Sequence, residues 1–241
     1  MRSISFRSIL AFLPLLLILF GAAPAPTREA KPKPAATFRL DSLNNLEIIN
    51  IKAEPATYRG KRSVHLLQST ADPTTGNPEK ESLAILKDTD FKNGVIEAEI
   101  AGAPRQGAPA DARGFVGIAF RTQDQGGRFE CFYVRFTNPR SDDQLRRNHS
   151  VQYISAPEYP WERLRKDTPG VYESYADLEP GAWTKIKIVV SGTHASLHLN
   201  GADQPCLIVN DLKLGEAHGP VALWVAVDTD AYFSNLKISP K

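Results

Sequence analysis

The stretch Gly114-Phe115-Val116-Gly117-Ile118-Ala119-Phe120-Arg121 divides into two faces of opposite character. Side chains alternate along an extended strand, so Val116, Ile118 and Phe120 share one face, and Phe115, Gly117, Ala119 and Arg121 the other. The division recurs in residues 128–137, where Phe132, Val134 and Phe136 oppose Cys131, Tyr133 and Arg135. It recurs again in 220–227, where Val221, Leu223 and Val225 oppose Ala222, Trp224 and Ala226. One face is aliphatic core. The other mixes small residues with aromatic rings and guanidinium groups, which offers a sugar ring space, a flat apolar surface and planar donors, or else packs beneath a covering loop.

Outward from this stretch, period-two alternation punctuated by turn residues continues through thirteen candidate strands, among them 38–43, 46–53, 63–68 and 150–155. No long amphipathic helix interrupts them. So many strands exceed an immunoglobulin-like sandwich and predict an all-β, two-sheet antiparallel jelly-roll sandwich over residues 37–241. A domain of that length buries an ample core without metals or disulfides. Cys131 and Cys206 lie in apolar strand-like runs and read as small buried hydrophobes rather than a bridge.

Residues 1–25 have the layout of an export signal: Arg2 and Arg7, an apolar run from Ile9 to Phe20, then Gly21-Ala22-Ala23. Residues 26–36 are rich in Pro, Ala and Lys and form a tether. The expected location is exported, periplasmic or extracellular, with membrane attachment only through an uncleaved signal segment. Of 29 Lys and Arg, two fall in the leader, so the remaining 27 balance the 27 Asp and Glu. That neutrality argues against a nucleic-acid partner.

The alternation breaks in an insertion, residues 138–171. It carries Arg146, Arg147 and His149 ahead of the strand holding Gln152, then Tyr159-Pro160-Trp161-Glu162-Arg163-Leu164-Arg165-Lys166. From Arg135 to Lys166 there are seven basic and four acidic residues. Trp161 needs a packing partner or a ligand, and arginine forks match carboxylate or sulfate, so an acidic or richly hydroxylated glycan is the expected partner.

Several segments are similar to one known superfamily: residues 91–100 (Phe91 to Ile100), 114–121, Trp183-Thr184-Lys185-Ile186-Lys187-Ile188, Leu197-His198-Leu199-Asn200-Gly201 and Ala231-Tyr232-Phe233-Ser234-Asn235-Leu236. Together they resemble the concanavalin A-like lectins and glucanases, nearest to laminin G-like jelly rolls and to the 3-keto-disaccharide hydrolase domains of bacterial exported proteins. The resemblance implies a sandwich over the whole domain, and either a lectin-like protein or a glycoside-cleaving one. Trp183 and the Asn200-Gly201 turn read as structural.

Retaining glucanase chemistry needs two closely spaced carboxylates, and no Glu-x-Asp-x-Glu strand is present. Glu97-x-Glu99 reads as the solvent face of a strand. His194 and His198 lie on a strand too far apart to share a small metal, whereas Asp142-Asp143 and Asp228-Thr229-Asp230 offer oxygen ligands that suit calcium. The expectation is therefore a glycan-binding sheet face of Arg121, Tyr133, Arg135, Gln152 and Trp224, roofed by Arg146, Arg147 and Trp161, with no required cofactor. The alternatives are an enzyme acting on 3-keto-disaccharides through His149 or Glu130, and a surface module recognising no sugar.

Overall fold

The computed structural model describes residues 34–67 and 81–241. The expected leader and most of the tether lie outside the described residues, as does Gln68 at the end of one expected strand. In chain order the strands are β1 (Ala36–Phe38), β2 (Leu46–Ile49), β3 (Lys52–Tyr58), β4 (Lys61–Leu67), β5 (Leu83–Leu86), β6 (Gly94–Pro104), β7 (Phe115–Gln123) and β8 (Arg128–Arg135). Then follow α1 (Gln144–Asn148), β9 (Val151–Ala156), α2 (Trp161–Asp167), β10 (Glu173–Ser174), β11 (Thr184–Ser191), β12 (His194–Leu199), β13 (Leu207–Val209), β14 (Ala222–Val225) and β15 (Thr229–Pro240).

Two antiparallel sheets result. The eight-stranded one runs β13-β12-β11-β6-β15-β4-β3, with β1 added to β15; the seven-stranded one runs β10-β9-β8-β7-β14-β5-β2. Val116, Ile118, Phe120, Phe132, Val134, Leu223 and Val225 are fully or almost fully buried on the inner face of the seven-stranded sheet. Ile96, Ile100, Ile188 and Val190 supply the facing layer. Each such side chain contributes roughly 1.5–3 kcal/mol of burial, so the inner faces dominate stability.

The two-faced alternation also explains the outer face of the eight-stranded sheet. Glu97 stands opposite Lys187 and Glu99 opposite Lys185 across the β6–β11 ladder. Glu99 further binds Lys61, at 2.5 Å. These carboxylates belong to a cross-strand charge ladder.

Three expectations need correction. The expected strand 46–53 is two strands in different sheets, because Asn50 takes a positive φ of 51° and turns the chain from β2 into β3. The expected strand 38–43 pairs only up to Phe38; at Leu40, φ is 57° and the buried side chain anchors a turn. The insertion, read as broken alternation, contains α1 and α2, and the two-residue strand β10 follows it. Asp143 caps α1, its Oδ1 accepting the Leu145 and Arg146 N–H groups at 2.8 and 3.3 Å. Leu164 of α2 is buried and pins that helix to the domain.

Cys131 and Cys206 are free thiols, the first buried and the second half-buried. Trp183 donates from Nε1 to the Tyr58 carbonyl at 3.2 Å, and Asn200 and Gly201 turn the β11–β12 hairpin at φ 52° and 78°.

Candidate functional site

One row of residues crosses the outer face of the seven-stranded sheet. Successive pairings align Glu173 with Gln152, Gln152 with Tyr133, Tyr133 with Gly117, and Gly117 with Trp224. Gly117 is required in the middle, since a Cβ there would sit 2.6 Å from both the Phe132 carbonyl oxygen and the Tyr133 Cβ. Across this gap the Tyr133 and Trp224 rings meet at 4.8 Å between centroids. Trp224 Nε1 donates to Glu81 Oε2 at 2.8 Å. Burial raises the Glu81 carboxyl above its ordinary value, with the indole hydrogen bond opposing.

Arg135 continues the layer. Its guanidinium lies 5.0 Å from the Tyr133 ring centroid and donates to Tyr133 Oη at 2.8 Å, Gln152 Oε1 at 3.3 Å and the His149 carbonyl at 2.9 Å. Its buried Nε has no hydrogen-bond partner among the described residues. Burial pushes the Tyr133 phenol up to about 12, so it stays protonated. The structure brings four expected residues together, but it seals them: Tyr133, Arg135, Gln152 and Trp224 are 1%, 2%, 1% and 5% exposed. The rings face one another and neither offers a flat surface to a sugar.

Arg121 is separated from this group. The outward alternation ends at a bulge where Arg121 takes φ 53°, turning its side chain under the loops at the far end of β7. There it donates to the carbonyls of Lys92, Gly192 and Gly215. Glu130 is also enclosed: its carboxylate accepts the Tyr153 hydroxyl and, at 2.7 Å, the Leu214 N–H. Burial raises its pKa, and it lies on the inner face beside Phe132, away from any cavity described here.

The accessible part of the row is its β10 end. Glu173 is almost buried, and Arg165 grips both its oxygens, Nε to Oε1 at 3.0 Å and Nη2 to Oε2 at 2.7 Å. His149 Nε2 meets Glu173 Oε1 at 3.1 Å. These residues line a cavity of about 610 Å³ with Leu145, Gly170 and Tyr175. Its surroundings are unusually apolar for a surface: Leu145, Val171, Tyr175 and Trp161 are 64%, 51%, 41% and 38% exposed. Arg165 stacks on Trp161 at 4.6 Å and Arg147 on Tyr175 at 5.6 Å, which fixes both rings while leaving area open. Arg146 donates to Asn138 Oδ1 and Thr137 Oγ1 at 3.2 and 3.1 Å.

Arg165 lines the cavity, and Arg113, Arg135 and Arg146 lie near enough to act on its groups electrostatically. Arg113, whose carbonyl accepts the Thr137 N–H at 3.1 Å, has no side-chain hydrogen bond or ion pair among the described residues. Burial lowers its pKa, and the neighbouring Arg135, Arg146 and Arg165 charges lower it further, with Asp111 opposing. Burial and the Arg165, Arg135 and Arg113 charges likewise hold the His149 imidazole below its ordinary 6.5, against the pull of Glu173. Nε2 lies against the Glu173 carboxylate, and Nδ1 has no partner among the described residues.

This yields a signed expectation. The unfolded chain takes up the His149 proton more readily than the fold does, so His149 subtracts stability as pH falls through 6.5 and nothing well above it. Replacing Arg165 with alanine removes a repelling charge and frees Glu173 for the imidazole. The His149 pKa then rises, as followed by NMR titration of the ring protons; a pKa unmoved or lowered would show that Arg165 does not act on it.

Other cavities lack this combination. One of about 640 Å³ is lined by Glu47, Glu81 and Asp124 without a cation or an aromatic ring. One of about 430 Å³ lies on the Glu97–Lys187 charge ladder. Among the described residues no three His, Cys, Asp or Glu side chains converge as a metal site. Of the expected calcium ligands, Asp228 pairs with Arg105, Asp230 with His65, and Asp143 caps α1.

Known structures share this architecture. A carbohydrate-binding module, CBM66, from Bacillus subtilis superposes with a TM-score of 0.54 at 13% identity, covering 81% of this chain and 96% of its own. Lectin II from Ulex europaeus gives 0.53 at 8% identity, covering 87% and 99%. The fold is the concanavalin A-like jelly roll. A jelly roll from Parabacteroides distasonis, described provisionally as a glycosyl hydrolase, gives 0.53 at 12% identity, covering 86% and 100%. No protein-family model matches the sequence, and no curated protein does. At these identities the likeness fixes the jelly roll and leaves the chemistry to the site.

Sequence reasoning missed Glu173, Arg165, Tyr175 and Arg113 as site residues. Glu173 opens, and Tyr175 follows, a strand too short to alternate. Arg113 lies ahead of β7 and reaches the insertion only through the β7–β8 pairing.

Proposed function

We propose that this protein binds a glycan bearing carboxylate or sulfate groups in the cavity between α1, α2 and β10, and that it does so outside the cytoplasm. The observation carrying this reading is a cavity lined by the exposed Tyr175 ring, Arg165, His149 and the buried carboxylate Glu173, with the exposed Trp161 ring stacked on Arg165 beside it. Rings pack on the apolar C–H faces of sugars, and arginine forks pair with their anionic substituents. The sealed layer of Tyr133, Arg135, Gln152 and Trp224 serves as the rigid floor that fixes His149 and Glu173. The jelly roll is shared with proteins described as carbohydrate-binding modules and lectins, which agrees with a sugar ligand. Location outside the cytoplasm rests on the export-signal layout of residues 1–25.

Screening wild type on a broad glycan array, then titrating the best ligand into Tyr175→Ala and Trp161→Ala, tests the site. Each truncation is expected to weaken binding about 3- to 10-fold, the value of one aromatic contact. Affinity unchanged in both variants would place the ligand elsewhere.

A further inference from the structure

Holding a ligand leaves one group in the cavity without a role: His149 Nδ1. Glu173, positioned by the β9–β10 pairing, lies with Oε1 3.1 Å from Nε2, and Nδ1 has no partner among the described residues. Glu173, Arg165, Arg135 and Arg113 are the charged groups that act on the ring, and the three cations together with burial keep it unprotonated. A neutral imidazole with a free ring nitrogen beside a carboxylate has the makeup of a general base. Two of the same guanidiniums answer a second need. A proton on the carbon next to a carboxylate leaves only if the charge gathering on that carboxylate is neutralised; Arg165 lines the cavity beside the base, and Arg113, unpartnered, acts on the same imidazole electrostatically.

We propose that the protein cleaves uronate-containing glycans by β-elimination, with His149 as the base. This rests on the reading that an acidic glycan occupies this cavity. Nδ1 takes the proton from C5 of the uronate, the C5–H electron pair becomes the C4=C5 double bond, and the bond from C4 to the glycosidic oxygen breaks. The imidazolium returns the same proton to that oxygen. The products are one chain ending in an unsaturated uronate and one ending in a new hydroxyl, and no oxidant, reductant or water is consumed. Arg113 and Arg165 pair with the uronate carboxylate, and Glu173 is a positioning residue that holds the imidazole.

The experiment incubates wild type with polygalacturonate, alginate, glucuronan and heparosan, following the ultraviolet absorbance of the conjugated enoate, with binding to each measured in parallel. Expected is enoate formation from at least one of them. In His149→Gln, kcat falls on the order of 100-fold or more, the value of a general base, with the loss in kcat rather than KM. In Glu173→Gln the acidic limb of the pH–rate profile moves. A uronate that binds and is recovered uncleaved overturns the elimination and leaves the binding reading standing. Cleavage retained in His149→Gln also overturns it. A panel in which no uronate binds removes both.

Discussion

Replacing Arg121 with alanine is expected to cost about 3–5 kcal/mol of unfolding free energy, the range for breaking a buried, fully hydrogen-bonded charge. Arg121 is 0% exposed. Its Nε and Nη2 both donate to the Lys92 carbonyl, at 3.1 and 2.7 Å, Nη2 also to the Gly192 carbonyl at 2.7 Å, and Nη1 to that of Gly215. One side chain thus ties together the connections β5–β6, β11–β12 and β13–β14. Alanine removes this donor from three part-buried carbonyls and leaves a void where one of the largest fully buried side chains stood. Lysine carries the charge but not the fork, so Arg121→Lys recovers only part of the loss. Denaturant unfolding followed by tryptophan fluorescence measures both variants. A loss under about 1 kcal/mol for Arg121→Ala would mean that the loops close without it.

Replacing Arg113 with glutamine is expected to weaken binding of an acidic glycan roughly 10- to 100-fold, the range for removing one charge-assisted contact. The neutral form of the same glycan loses little. Arg113 is suited to this test because its side chain has no hydrogen bond or ion pair among the described residues, so its removal leaves no partner stranded. Stability should change little or rise, since a guanidinium crowded by Arg135, Arg146 and Arg165 is lost. The contact weakens with ionic strength, and raising salt should narrow the gap between wild type and variant. Calorimetric titration at two salt concentrations reads both effects.

The contrast between these arginines shows what local pattern conveys. Alternation over residues 114–121 and 128–137 placed the inner and outer faces correctly, because side-chain direction in a strand is a local property. It failed at Arg121, where a positive φ inside the strand reverses direction. Alternation also cannot tell an open outer face from a sealed one. Trp224 and Tyr133 looked like a sugar platform until their mutual packing and the Glu81 hydrogen bond showed a closed layer. The rings that remain open, Trp161 in the insertion and Tyr175 just beyond it, lie where no period marks them. The arginine cluster was partly legible as an excess of charge between Arg135 and Lys166. Its anchor was not: Glu173 lies beyond that run and reaches the cluster by pairing with Gln152 across a two-residue strand.

The central claim, an anion-recognising sugar site at the β10 end of the sheet, is tested most directly by calorimetry on matched ligands. An oligogalacturonate is compared with its methyl ester, and a sulfated oligosaccharide with its desulfated form. Expected is binding of at least one acidic member roughly tenfold or more tighter than its neutral counterpart, the value of one charge-assisted contact. Equal affinity within both pairs, or no binding by any of the four, would contradict it.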